Sequence, residues 1–82
     1  MNAVTIFGRA DCGSCTFTKR AFELARLRHV VIDVDQDADG AAIARELAAE
    51  LGRSELPIVL CEDGSRWAGL RLDLIARLVR AV

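Results

Sequence analysis

Two cysteines three positions apart, Cys12 and Cys15, are the residues of this chain best suited to do chemistry. They follow a short β-branched and aromatic run at residues 4–7 and precede a segment that can form a helix. Cysteines with this spacing at a helix start lie one turn apart, close enough to form a disulfide. The first cysteine then faces the unpaired N–H groups and the positive end of the helix dipole, which stabilise a thiolate. The pair therefore predicts thiol–disulfide exchange, since a structural disulfide over three residues would remove little entropy from the unfolded chain.

The elements that must position this pair belong to a small chain of 82 residues, which we interpret as one domain over residues 1–82. Its hydrophobic content of 52% and its single proline indicate that it folds alone. A formal net charge of −1 gives no electrostatic reason to expect binding to nucleic acid or to an anionic membrane. We also expect a monomer.

The location of the protein is predicted from apolar runs and from cysteine usage. No apolar stretch is long enough for a membrane span, and the chain is strand-like from residue 4, so we expect no signal peptide. Three cysteines are an odd number and do not make a disulfide framework. We therefore expect a cytoplasmic protein, in which a Cys-x-x-Cys pair is more often catalytic or metal-binding than structural.

Seven elements are predicted from the apolar pattern and the turn signals. The strands are expected at residues 4–7, 30–34, 57–61 and 66–68, and the first helix at residues 14–28. The second helix shows the clearest period, at Ile43, Leu47 and Leu51, with Asp37 or Asp39 as its cap and Gly52 after its end. The third helix carries one apolar face, formed by Leu74, Ile75, Leu78, Val79 and Val82.

Core positions of the first helix and the second strand are less clearly marked. In the first helix we expect Cys15, Phe22 and Ala25 to be buried, with Phe17, Ala21 and Leu24 as further candidates. The second strand is nearly continuous in apolar residues, as a strand covered on both faces would be.

The order of these elements is βαβαββα. A βαβ unit needs a parallel strand pair with a right-handed crossover, and the Asp63-Gly64 turn signal predicts an antiparallel hairpin. The sequence therefore predicts an α/β protein with a thioredoxin-like arrangement, a four-stranded mixed sheet with three helices. The cysteine pair falls at the carboxyl end of the first strand, where α/β sheets place their reactive groups.

Several motifs resemble those of a known family. The strand, the Cys-x-x-Cys pair, the helix and then Leu56-Pro57 before a strand resemble the glutaredoxin and thioredoxin superfamily over almost the whole chain. The segments Thr18-Lys19-Arg20-Ala21 and Trp67-Ala68-Gly69-Leu70-Arg71-Leu72-Asp73 are similar to the glutaredoxin-like NrdH-redoxins, which usually show Thr-Lys-Arg-Ala and Trp-Ser-Gly-Phe-Arg-Pro-Asp there. The chain departs from the second motif at positions 68, 70 and 72, and the alanine at 68 removes a hydroxyl.

The resemblance implies a small electron carrier that is reduced by a flavin-dependent thioredoxin reductase and passes electrons to a class Ib ribonucleotide reductase. We see no flavin or nicotinamide site in this chain, so those cofactors belong to the partners and none is expected here. A glutathione-dependent glutaredoxin is the alternative within the same class.

The resemblance also implies where the substrate binds. It implies a cis Leu56-Pro57 bond that faces the cysteine pair and leaves the backbone groups of Leu56 free to pair with an extended substrate. Trp67 should then pack with some exposure beside the substrate groove, and Gly69 should take a positive φ or allow a close backbone approach. Leu70 and Arg71 complete the expected partner surface; Arg71 is equally well explained as a solvated charge at a helix start.

Each cysteine of the pair has its own expected role. Cys12, at the edge of the helix, is the nucleophile, and attack on a substrate disulfide gives a mixed disulfide that Cys15, one turn deeper, resolves. Lys19 lies seven residues after Cys12, two helical turns away, and is interpreted as solvated or partner-facing.

Two metal-binding interpretations compete with exchange. Cys12, Cys15, Cys61 and His29 are soft ligands on paper, but only the first two have zinc-ligand spacing, and a copper or iron–sulfur carrier would use that pair alone. Cys61 lies in an apolar strand and is interpreted as a buried inert thiol, and His29 as a surface histidine.

The segment at residues 35–46 has the residue spacing of an EF-hand calcium loop. The predicted strand before it, in place of a helix, favours an acidic turn that caps the second helix.

Overall fold

The computed structural model describes residues 3–81, which form four strands and three helices in the predicted order. The elements are β1 (Val4–Gly8), α1 (Gly13–Leu24), β2 (His29–Asp33), α2 (Ala38–Leu51), β3 (Ile58–Cys61), β4 (Arg66–Ala68) and α3 (Leu72–Arg80).

The strands form one mixed sheet in the order β2-β1-β3-β4. β1 pairs in parallel with β2, and both the β1–β3 and β3–β4 pairs are antiparallel. The β3–β4 hairpin turns at Gly64, which has a φ of 94°, and the Ser65 N–H donates to Asp63 Oδ1 at 2.9 Å. The predicted thioredoxin-like fold, a four-stranded mixed sheet with three helices, is confirmed.

Two apolar clusters cover the two faces of the sheet. Because side chains alternate along a strand, Val4 and Ile6 of β1 pack with Phe22 of α1 and Ile75 of α3. Phe7 packs on the opposite face in a cluster with Ile58 and Ala68 of the sheet and Ala44 and Leu47 of α2. The helix pair α1 and α3 therefore covers one face and α2 the other, which fixes the carboxyl end of β1 at the start of α1.

Helix α2 begins and ends at capping residues that the sequence predicted. Asp37 is the N-cap, and its carboxylate accepts a hydrogen bond from the Gly40 N–H at 2.8 Å. Gly52 ends the helix in the left-handed region, with a φ of 67°. Of the two predicted caps, Asp37 is the one used, and Asp39 lies in the first turn.

The first helix is shorter than predicted, because it ends at Leu24 and not at residue 28. Arg26 takes a φ of 57°, its N–H donates to the Glu23 carbonyl at 3.1 Å, and the Leu27 N–H donates to the Phe22 carbonyl at 3.0 Å. This is a Schellman-type helix end with arginine where glycine is usual, so the sequence carries no signal for it.

Two of the further core candidates in this helix were wrong. Phe17 and Leu24 are exposed, with 51% and 78% of their surfaces accessible. The buried side of α1 is instead formed by Cys15, Thr18 and Phe22, spaced by three and four residues. Thr18 is fully buried, and its hydroxyl donates to the Ser14 carbonyl at 2.8 Å. This hydrogen bond offsets the cost of burying the polar group.

The second strand lies at the edge of the sheet, and the prediction that both of its faces are covered is wrong. It begins at His29 and ends at Asp33, and Val30 and Val31 are exposed, with 55% and 45% of their surfaces accessible. A run of apolar residues is compatible with a strand covered on both faces and with an exposed strand, so the run alone does not distinguish them.

Two further expectations concern single residues. Ile43 keeps 42% of its surface accessible, although it belongs to the periodic set of α2. Val82, expected on the apolar face of α3, lies outside the described residues. Within residues 3–81, no helix has the length and apolar character required to cross a bilayer.

We predict that Asp37→Ala lowers the free energy of unfolding by about 1 kcal/mol, because the Gly40 N–H loses its acceptor. Asp37→Asn should keep most of the stability, since asparagine is an equally good N-cap. Asp39→Ala, the matched control, should cost only a few tenths of a kcal/mol through the helix dipole. Urea denaturation measures all three, and an Asp39→Ala protein as unstable as Asp37→Ala would contradict the assignment.

Candidate active site

Helix α1 starts directly at the cysteine pair. Cys12 is the N-cap residue, and its Sγ accepts a hydrogen bond from the Cys15 N–H at 3.3 Å. The two cysteines are joined by a disulfide with Cα atoms 5.2 Å apart, within the usual range for such a bond. Cys12 is partly exposed and Cys15 is buried. Their roles as attacking and resolving thiol stay a prediction.

Gly8 at the end of β1 allows the buried cysteine to lie against the strand. A Cβ atom at position 8 would stand 2.9 Å from the Cys15 Sγ and 3.1 Å from its Cβ. The strand end and the first turn of α1 therefore touch at a point where only glycine fits without a shift. Asp11, just before the pair, has a φ of 60° and turns the chain into the helix.

The bond between Leu56 and Pro57 is cis, as the family resemblance implied. The Ser14 hydroxyl, from between the two cysteines, donates a 2.7 Å hydrogen bond to the Leu56 carbonyl. This contact holds the loop between α2 and β3, residues 52–57, against the cysteine pair, and we call this segment the proline loop. The two bonded residues are 42 positions apart in the sequence. The contact also contradicts the expectation that both backbone groups of Leu56 are free, because the carbonyl already has a partner.

Gly69 connects the same loop to the end of β4. Its φ is 83°, so the expected positive φ is confirmed, and its N–H donates to the Pro57 carbonyl at 2.8 Å. A Cβ at this position would also stand 3.4 Å from the Cβ of Glu55. The cysteine pair, Leu56-Pro57 and Gly69 thus form one chain of hydrogen-bonded contacts.

Leu70 and Arg71 are two further candidates for the partner surface. Leu70 follows Gly69 and is exposed. The Arg71 guanidinium forms a two-point ion pair with Asp73, at 2.9 and 3.1 Å. This pair raises the pKa of Arg71 and lowers that of Asp73. Arg71 is therefore already engaged within the chain, and its contact with a partner stays a prediction.

Trp67 does not lie as expected, because only 5% of its surface is accessible. It pairs with Val59 across the β3–β4 hairpin and belongs to the cluster under α1 and α3. Its indole N–H has no hydrogen-bond partner among the described residues. The expected exposure of Trp67 beside a substrate groove is wrong, and its burial leaves a packing role.

A shallow groove of about 670 Å³ begins at Cys12 and follows α1. Its apolar lining includes Phe17 and Leu24, the two side chains that the sequence placed in the core. Arg20 lines the same groove, whereas Lys19 lines a smaller groove beside Cys15. The partly exposed Cys12 therefore lies at one end of an apolar surface.

The residues that could complete a zinc site with the cysteine pair are at the other end of the sheet. His29 and Cys61 both pair with Val4, the first residue of β1, whereas the cysteine pair follows its last residue. The strand separates them by about 13 Å. Across residues 3–81, no group of three or more histidine, cysteine or acidic residues is placed to hold a metal ion.

Cys61 and His29 have structural contacts instead. Cys61 is buried, as predicted, and burial raises the pKa of its thiol, so it stays protonated at neutral pH. His29 is half-buried: its Nδ1 lies 2.7 Å from the Leu27 carbonyl oxygen and its ring 6.1 Å from that of Phe22.

The segment with calcium-loop spacing forms a capping turn in this structure. β2 precedes it, Asp37 caps α2, and the Asp33 side chain accepts from the Asp35 N–H at 2.8 Å. Within the segment, the Asp35 carboxylate pairs with Arg9 at 3.2 Å and the Asp37 carboxylate caps α2, so both already have partners in the protein.

Comparison with known proteins agrees with this geometry. The glutaredoxin family model matches residues 4–65, which include the cysteine pair and the cis proline. The chain belongs to the glutaredoxin family. As a member with the Cys-x-x-Cys pair, it is a thiol–disulfide oxidoreductase.

Within this family the chain is similar to the glutaredoxin-like protein NrdH. It is 39% identical to NrdH of Escherichia coli strain K12 over 75 residues, covering 92% of this chain and 86% of the relative. It is 37% identical to NrdH of Salmonella typhimurium over 76 residues, covering 93% and 88%.

Solved structures give the same relationship. The glutaredoxin-like NrdH-redoxin from Escherichia coli, described as having a thioredoxin-like activity profile, aligns with a TM-score of 0.78 and 37% identity over 93% of each chain. A buckwheat glutaredoxin solved with glutathione aligns with a TM-score of 0.72 and 25% identity, over 99% of this chain and 82% of that one. The expected resemblance to the NrdH-redoxins is confirmed.

Sequence reasoning missed one residue at this site. Ser14 lies between the two cysteines and was given no role from the sequence, yet it joins the cysteine pair to the proline loop. The one local signal was a hydroxyl in the first turn of the helix, and no local pattern shows that its partner lies at position 56.

We predict that Gly8→Ala lowers the free energy of unfolding of the oxidised protein by about 1–3 kcal/mol, because the added methyl group overlaps Cys15. Gly13→Ala is the matched control, since a Cβ there meets no atom within 4 Å and should cause no loss. Urea denaturation compares the two, and a Gly8→Ala protein as stable as the parent would show that the strand and the cysteine are not in close contact.

Proposed function

We propose that this chain is a dithiol electron carrier that reduces protein disulfides, accepts electrons from thioredoxin reductase and delivers them to a class Ib ribonucleotide reductase. The observation that carries the proposal is the position of Cys12 at the N-cap of α1, bonded to a buried Cys15 one turn away. Such a pair alternates between disulfide and dithiol while the rest of the fold stays in place.

The proposed reaction proceeds through both sulfurs. In the reduced protein the Cys12 thiolate attacks one sulfur of the target disulfide, forming a mixed disulfide and releasing the other target sulfur as a thiolate. Cys15 then loses its proton and attacks Cys12, which frees the second target sulfur. Two electrons have moved to the target, and the carrier holds the disulfide seen here.

The choice of electron donor is supported by the relatives. The chain is 39% identical to a glutaredoxin-like NrdH protein, and the solved NrdH-redoxin is described as having a thioredoxin-like activity profile. The Trp67–Asp73 segment resembles the NrdH pattern, whereas ordinary glutaredoxins carry a Gly-Gly-x-Asp-type segment that helps to bind glutathione. We therefore propose thioredoxin reductase as the donor.

The setting of the reaction follows from its partners. A carrier that is kept reduced by such an enzyme works in the cytoplasm, and we propose that residues 1–82 act there as a single redoxin domain and as a monomer. No bound cofactor takes part in the exchange, because the electrons stay on sulfur.

Reduction by glutathione is the alternative. It is favoured by the likeness to the buckwheat glutaredoxin, which was solved in complex with glutathione and covers 99% of this chain. The two functions differ only in the molecule that opens the Cys12–Cys15 disulfide, so they are separated by the donor and not by the target.

The test is a coupled assay in which the purified protein reduces insulin disulfides with thioredoxin reductase and NADPH, run beside glutathione, glutathione reductase and NADPH. We expect NADPH consumption in the first system and little above background in the second. Turnover with glutathione alone would overturn the choice of donor, and no turnover in either system would overturn the proposed function. Addition of a class Ib ribonucleotide reductase in place of insulin then tests the acceptor.

We predict different losses for the two cysteines. Cys12→Ser should abolish the insulin reduction, because no nucleophile remains at the helix end. Cys15→Ser should accumulate a mixed disulfide through Cys12, which intact-protein mass spectrometry detects and dithiothreitol reverses. Cys61→Ser is the control and should keep full activity, because its thiol is buried in the sheet. An active Cys12→Ser protein would remove the assignment of the nucleophile.

A further inference from the structure

The hydroxyl of Ser14 lies between two groups that the exchange reaction uses. Its Oγ is 2.7 Å from the Leu56 carbonyl oxygen and 3.4 Å from the Cys12 Sγ. A serine hydroxyl has a single proton to donate, so it can make a full hydrogen bond to only one of these two acceptors at a time.

In the oxidised protein the relative strength of the two acceptors determines which of them receives the Ser14 hydrogen bond. Cys12 is part of the disulfide, so it has no proton to give and its sulfur is a weak acceptor. The carbonyl oxygen of Leu56 is the stronger acceptor and lies at the shorter distance. The proton of Ser14 is therefore on the side of Leu56.

Reduction reverses the relative strength of the two acceptors. When a donor dithiol opens the disulfide, the donor becomes a disulfide and its two electrons pass to the sulfurs of Cys12 and Cys15. At neutral pH one of the two protons of the donor is taken up by Cys15, the other is released to solvent, and Cys12 is left as a thiolate. A hydrogen bond to a charged sulfur is about twice as strong as one to a neutral acceptor, so the thiolate competes for the Ser14 proton.

We propose that the Ser14 hydroxyl exchanges its hydrogen bond between Leu56 and Cys12 with the redox state, stabilising the thiolate and uncovering the Leu56 carbonyl when the carrier is reduced. The inference rests on the proposed disulfide-reducing function and adds a residue to it. It assigns Ser14 a role beside the reacting sulfur that the cysteine spacing alone does not require.

The exchange would couple substrate binding to the state that can react. In the reduced protein the lone pair of the Leu56 carbonyl that Ser14 has left accepts the backbone N–H of an extended target segment beside the Cys12 thiolate. After electron transfer the disulfide returns and Ser14 again donates to Leu56, as in this structure. The reduced target then loses a backbone hydrogen bond and is released.

The first test is a titration of thiolate absorbance at 240 nm in the reduced protein. We expect Ser14→Ala to lower the acid dissociation constant of the Cys12 thiol about tenfold, because the thiolate loses one hydrogen bond to its charged sulfur. Ser14→Thr should restore it, because threonine keeps the hydroxyl. Gly13→Ala changes the same dipeptide without a clash and should leave the constant unchanged.

The second test needs no variant. The ¹³C resonance of the Leu56 carbonyl is followed through its own Hα, since Pro57 has no amide hydrogen for the usual experiment. We expect the resonance to move to lower frequency on reduction of the wild-type protein, as a carbonyl that loses a hydrogen bond does. An unchanged resonance would overturn the exchange.

The outcomes separate this inference from the proposed function. A wild-type protein that reduces insulin, with an acid dissociation constant of Cys12 that Ser14→Ala does not change, would overturn the role of Ser14 and leave the function standing. Both spectroscopic tests with the expected results, together with a wild-type protein that reduces no protein disulfide, would overturn the function and keep the hydrogen-bond exchange.

Discussion

The amide end of α1 meeting the Cys12 sulfur is the interaction on which the site depends. The Cys15 N–H donates to this sulfur, and it does so because Cys12 is the N-cap residue of the helix. An N-cap sulfur supplies an acceptor to the unpaired N–H groups of the helix end, and the partial positive charge there favours the sulfur anion. In the proposed function, one local arrangement therefore both caps a helix and activates the nucleophile.

The rest of the fold maintains this arrangement. The sheet anchors the strand that leads into the pair, and Gly8 lets Cys15 lie against the end of that strand. The proline loop is connected to the pair through Ser14 and to β4 through Gly69. Three segments that are distant in sequence are thus joined at or next to the cysteine pair, and in the proposed function a target that docks on the proline loop is brought to Cys12.

The sequence was sufficient for the architecture and for the cysteine pair, because both depend on local patterns. It was insufficient where long-range packing determines the outcome. The exposure of Val30 depends on which elements cover the sheet at β2, and composition does not encode this. Arg26 ends α1 in a conformation that usually marks glycine, so the helix was predicted too long. The Ser14–Leu56 bond joins residues 42 positions apart, and Trp67 was buried by the packing of α1 and α3.

The most direct measurement of the central claim is the alkylation rate of Cys12 in the reduced protein at pH 7, determined with iodoacetamide and peptide mapping. The account predicts that Cys12 reacts about tenfold faster than a cysteine in an unstructured peptide, and that the advantage disappears in urea when α1 unfolds. Equal rates for Cys12 and the peptide would contradict the account, because the helix end would then give the sulfur no anionic character.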